Sequence, residues 1–288
     1  MNAIKLTLPA LIALSFGGSA ALAAPILGAD LASFAVLGAA GVTNVPTSTI
    51  GGNLGSAPNA SAGGGYVFSS GSIQQNTAIA QNAQLQLDAA ILALNAFANT
   101  GGAFTSNGAL TTYNPGVYDG GAVTLGADVV LDGGGNSNAV WIFRTTSTLI
   151  TSTTANVTVT NVGGGGGVGI YWVVGSAATL NGPQFVGNVL AHDLISSDGF
   201  LTLPCGRLLS AETQVTLIQD TISLGCTNVG TTGASYATSG GFDQGAPTGS
   251  GGTGGSGGQV VNGVPEPVSL ALVGLGLAGL LFGRSRKA

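Results

Sequence analysis

The stretch GVYDGGAVTLGADVVLDGGGNSNAVWIFRTTSTLITSTTANVTVT, residues 116–160, alternates short β-prone runs with glycine and asparagine turns. Within it, Val123-Thr124-Leu125 and Val157-Thr158-Val159 each set one Thr between two apolar residues. The same tripeptide returns at Ala178-Thr179-Leu180, Leu201-Thr202-Leu203 and Val215-Thr216-Leu217. Strand alternation sends the apolar residues to one side and the Thr to the other. The Thr positions lie 34, 21, 23 and 14 residues apart. These intervals are near one or two turns of a coil with ~15–24 residues per turn. The predicted fold class is therefore mainly β, an irregular β-helix (solenoid) whose rungs bury their inner sides and whose glycines permit positive φ at the corners. The competing architecture is a β-sandwich with a strand every ~8–12 residues, which a lone long helix fits poorly.

That helix precedes the strands. From Ser72 to Asn99 there is no Gly or Pro, and Ala83, Leu87, Ala90, Leu94 and Phe97 form one apolar stripe. The pattern predicts a helix over residues 72–99, capped by Ser72 and ended by Gly101-Gly102. At ~1.5 Å per residue this is a rod of roughly 40 Å, which needs an equally long surface to lie against.

Both ends of the chain read as addresses. Residues 1–23 have the pattern of a signal peptide, with Lys5, an apolar run from Leu6 to Phe16, and Ala21-Leu22-Ala23 before the cleavage point. Residues 230–263 are a Gly/Ser/Thr-rich linker, which would act as a flexible tether of ~30 Å typical reach. At the C-terminus, Val264-Pro265-Glu266-Pro267 precedes an apolar run from Val268 to Phe282 and the basic end Arg284-Ser285-Arg286-Lys287. Residues 264–288 thus resemble the PEP-CTERM sorting signal of Gram-negative bacteria. The resemblance implies transient membrane residence and processing by an exosortase near Pro265, Glu266 and Pro267. A plain membrane anchor is the alternative, and either places the body, residues 24–229, outside the cytoplasm, secreted or at the cell surface or matrix. There, the even cysteine count reads as one disulfide, Cys205 to Cys226, rather than two free thiols.

The body resembles a known family. GADLASFAVLGAAGVTNVPTSTIGGNLGSAP (28–58), NPGVY (114–118), NAVWIFRTTSTL (138–149), IYWVVGSAATL (170–180), FVGNVLA (185–191) and GRLLSAETQVTL (206–217) follow in the order found in ice-binding proteins of bacteria, yeasts and algae. The resemblance spans residues 28–226 and implies an irregular right-handed β-helix with a long helix alongside, and adsorption to ice as the activity. Thr124, Thr158, Thr179, Thr202 and Thr216 are the candidate ice-contact residues. The Thr-Ala/Gly-x-Thr/Asn pattern of many members has no copy here; Thr154-Ala155-Asn156-Val157 misses at its fourth position. The alternative function is a structural or adhesive module binding matrix polysaccharide without affinity for ice.

Composition narrows the remaining classes. Glycine supplies 51 of 288 residues against 6 Lys+Arg, 11 Asp+Glu and one His. From Ala24 to Gly263 only Arg144 and Arg207 face ten acidic residues, which excludes nucleic-acid binding by a basic patch. A polysaccharide lyase or hydrolase lacks basic groups, and His192-Asp193 beside Ser196 and Ser197 has the turn-like adjacency that rarely makes a triad. The run Gly163–Gly167 lacks the Lys-Ser/Thr of a phosphate loop. Asp128, Asp132 and Asn136 lack the calcium-repeat pattern. The reading is a monomeric, non-enzymatic protein with no cofactor and no metal. Arg144 and Arg207 are expected to be structural partners of an Asp or of backbone carbonyls, and Trp141 and Trp172 core residues.

Overall fold

The computed structural model describes residues 26–162 and 167–226. The signal peptide, most of the Gly163–Gly167 run, the linker and the sorting segment with Pro265, Glu266 and Pro267 lie outside the described residues.

The molecule is mainly β, and every strand pairing is parallel. Runs that are buried at almost every position, such as Val140–Thr145, Gly169–Val174, Gly187–Ala191 and Gly206–Ser210, make the middle of a nine-stranded sheet covered on both faces. Three of the apolar-Thr-apolar tripeptides, those of Thr124, Thr179 and Thr216, lie in strands of a second sheet of six. A third wall has two parts, one of three strands and one of four, linked by single bridges from Gln184 to Asn156 and to Thr202. The chain visits the walls in rotation: Val140–Thr145 in the first, Leu149–Thr151 in the second, Val157–Thr160 in the third, then Gly169–Val174 in the first again.

Inward side chains stack from rung to rung. Tyr118, Phe143 and Trp172 are register partners, and their rings stack at 5.2 Å and 4.2 Å. Trp141 and Trp172 are fully buried, and their indole N–H groups donate to Tyr113 O and Val186 O. The disulfide Cys205–Cys226 ties the chain beyond the last strand, Thr221–Ser223, to the start of Gly206–Ser210.

Strand order does not follow chain order. The first strand, Phe34–Gly38, pairs with Gly206–Ser210, near the end of the described chain. The strands that follow it extend this side of the sheet to the edge strand Ile73–Gln75, while the next strand, Gly102–Ala103, forms the opposite edge. The intervening segment must cross a nine-stranded sheet, ~38 Å at ~4.8 Å per strand. The helix makes most of that crossing, about 27 Å for 18 residues at ~1.5 Å each, and its flanks make the rest. It runs from Ala78 to Asn95, shorter than the expected 72–99. Residues 73–75 instead pair as the edge strand beside Asn53–Ser56, so backbone pairing overrides helix propensity there. Asn76 takes a positive φ, and Thr77, not Ser72, is the N-cap, accepting from Ala80 N. The expected stripe is buried at Ala83, Leu87, Ala90 and Leu94 and extends to Ala80.

Arg144 closes the far end of the helix. Its Nη1 donates to Leu94 O, Asn95 O and Phe97 O at 3.3, 2.9 and 2.7 Å, satisfying carbonyls that a helix C-terminus leaves open. Its Nε and Nη2 clasp Asp119 at 2.6 and 2.9 Å. That bond and charge hold the Asp119 carboxyl below its ordinary pKa. Arg144→Ala is expected to cost about 2 kcal/mol, mostly through the carbonyls, and to lower the Tm by roughly 4–8 °C in thermal unfolding. Because Asp119 is depressed, the unfolded chain binds more protons just below the ordinary carboxylate range, so this contribution is present above that range and lost as pH falls. The acid end of the stability profile should flatten in Arg144→Ala.

Candidate functional site

One wall is open, continuous and free of charge. The outer side of the nine-stranded sheet is covered, since Leu37, Ile142, Tyr171, Leu190 and Leu209 pack with the helix residues Leu87 and Leu94 in one buried cluster. The third wall is split at Gln184 and carries Asp128 and Asp132. The six-stranded sheet has neither interruption. Its strands, Val123–Leu125, Leu149–Thr151, Ala178–Leu180, Ile195–Ser197, Gln214–Ile218 and Gly41–Val45, contain no charged residue.

Parallel register turns alternation within each strand into rows across the sheet. Val123, Leu149, Ala178, Ile195, Val215 and Val42 form one inward row, all buried. The next position forms an outward row: Thr124, Ile150, Thr179, Ser196, Thr216 and Thr43. Thr124 and Thr43 are exposed and the other four half-exposed. At ~4.8 Å per rung the row is about 24 Å long. Its hydroxyls meet along it, with Thr43 Oγ1 donating to Thr216 Oγ1 at 3.1 Å and Ser196 Oγ to Thr179 Oγ1 at 3.5 Å. The charges nearest in sequence, Asp193, Asp198 and Glu212, fall outside the strands.

Behind the row, one carboxylate fixes the corner. Asp220 is buried; its Oδ2 accepts from Ser197 Oγ at 2.6 Å and Ile218 N at 3.0 Å, and its Oδ1 from Leu201 N at 3.0 Å. Burial raises its pKa above the ordinary value, against the opposing pull of these donors.

Of the five candidate residues, Thr124, Thr179 and Thr216 come together in this row, while Thr158 and Thr202 stand on the third wall. Thr158 pairs with Val130, and Thr202 with Thr221. Thr43, Ser196 and Ile150 complete the row and were not found by the tripeptide. Ile195-Ser196-Ser197 and Val42-Thr43-Asn44 follow the apolar-hydroxyl pattern but end on a polar residue. Ser197 spends its hydroxyl on Asp220, and Ser196 faces Thr179, so neither serves the exposed His192–Asp193 pair, which is in contact at 3.0 Å.

The chain matches two family models: the ice-binding-like family over residues 36–223, and the PEP-CTERM protein-sorting motif over residues 263–287. An ice-binding protein of Nostoc sp. (strain HG1) is 31% identical over 267 residues, covering 87% of this chain and 83% of that one. Among solved structures, an ice-binding protein from an Antarctic biological consortium aligns with a TM-score of 0.63 and 28% identity, over 77% of this chain and 96% of the other. One from the Antarctic ascomycete Antarctomyces psychrotrophicus aligns with a TM-score of 0.60 and 27% identity, over 68% and 96%.

The outward row should be dispensable for folding and the carboxylate behind it should not. Thr179→Val and Thr216→Val are expected to stay within about 0.5 kcal/mol of the parent in urea unfolding, since they keep shape and β-propensity at a solvent face. Asp220→Ala, which strands three donors, should cost about 3 kcal/mol. The raised Asp220 pKa means the folded state holds the extra proton between the ordinary and raised values. Stability from this group therefore falls as pH rises through that window, and Asp220→Asn should remove the slope.

Proposed function

The chain belongs to the ice-binding-like family, and from that membership we propose that its body adsorbs to ice through the outward row of the six-stranded sheet. The observation that carries this reading is the register-aligned row Thr124, Ile150, Thr179, Ser196, Thr216 and Thr43. Hydroxyls and methyls repeated every ~4.8 Å on a rigid sheet can hold a layer of ordered water that freezes onto a crystal plane. Charges, which would orient water otherwise, are kept off these strands. No bond is made or broken; the protein acts by adsorption, as a monomer.

The body is on this reading an irregular right-handed β-helix with the helix Ala78–Asn95 as its outer strap. Rotation of the strands through three walls supports the coil, and the strong right-handed preference of parallel crossovers supports its hand. The matched sorting motif supports export, with residues 1–23 removed, residues 230–263 as a tether and an exosortase acting near Pro265, Glu266 and Pro267. The protein then works at the surface or in the matrix of a Gram-negative cell.

Thermal hysteresis and ice recrystallisation assays test this on the secreted protein. Thr179→Tyr, in the middle of the row, should remove most of the activity with the Tm unchanged. Thr158→Tyr, on the third wall beside Val130, should keep it. Inactivity of the parent protein would leave the matrix module as the account.

A further inference from the structure

Among the described residues the aromatic side chains are buried or half-buried, except Phe200, which is 72% exposed. Phe200 also has φ +59°, in the left-handed region that a bulky side chain rarely adopts. The corner itself demands this conformation, because Gln219 takes φ +53° one rung away. Phe200 N donates to Ile218 O, and Gln219 N to Val45 O, so the two corners are stacked equivalents. Gly or Asn would meet the same demand with less strain and without exposing a ring. Two unfavourable features thus meet at one surface position.

The corner continues the open row. Val45 and Ile218 are register partners at the ends of the strands that carry Thr43 and Thr216, and Val45 is 51% exposed. Phe200 is held to the next rung by its N–H to Ile218 O, and follows Gly199, where an added side chain would meet that of Ile218. The exposed charge at this corner is Asp198, two residues before Phe200, while Asp220 lies buried behind it. We propose that Phe200, with Ile218 and Val45, is a further ice-contact group, carrying the contact surface of the hydroxyl row over the corner as an apolar ridge. This rests on the ice-binding reading above. A ring and branched methyls cannot hydrogen-bond water and so impose a cage on it, as the Thr methyls do along the row. The ring is retained there in spite of the backbone it requires.

The test sets stability against activity in the full secreted chain. Phe200→Asn, which suits the left-handed corner, should raise the Tm by roughly 2–4 °C. It should also raise the concentration needed for half-maximal recrystallisation inhibition about tenfold, the scale of one partly buried aromatic contact. Phe200→Ala, which removes the ring and keeps the strain, should lose the same activity with no gain in Tm. If both variants inhibit as the parent does while Thr179→Tyr is inactive, the proposal is overturned and the row alone binds. A parent protein without activity overturns the ice-binding reading and this proposal together.

Discussion

The pairing of Phe34–Gly38 with Gly206–Ser210 is the contact on which the molecule depends. It brings residues some 170 positions apart into one ladder, an entropic cost that many simultaneous contacts must offset. The seam is accordingly well tied. The buried Arg207 donates to Ala32 O at 2.6 Å and to Asn188 Oδ1 at 2.7 Å. Asp220 N donates to Ser48 Oγ, and Thr49 N to Asp220 O. Without this seam Thr43 would not stand beside Thr216, and the open row would end one rung sooner.

Four charged residues of the body serve its joints. Arg144 and Asp119 hold the end of the helix, Arg207 lies in the seam, and Asp220 fixes a corner from inside. Each of these is a place where several backbone groups need a partner at once, which an ion supplies better than a neutral side chain. The opposite requirement holds on the open sheet, whose proposed role needs a surface without charge. Sparse charge in the sequence is thus the sum of two local needs.

Much of this could be read from the residues, and the failures have physical causes. Alternation identified which Thr face outward, because that is a property of a single strand. It could not say which wall each Thr joins, since Thr158 and Thr179 sit in identical local patterns and differ only in where the coil turns. Ser196 and Thr43 were missed because the residue after each, Ser197 or Asn44, is polar yet faces inward, with its hydrogen bond satisfied there. The helix stripe was clear, but its start was not. Residues 73–75 are good helix formers that a sheet edge has recruited, and propensity carries no record of a waiting partner.

The helix that, with its two flanks, crosses the sheet from edge to edge is also a ruler. Each rung added at either edge lengthens the stack by ~4.8 Å, and a helix rising ~1.5 Å per residue must gain about three residues to keep pace. Its 18 residues and their two flanks are therefore matched to nine strands. The open wall is built from the same rungs, so its length is metered by an element that packs on a different wall. In this architecture, a larger contact area requires a longer strap.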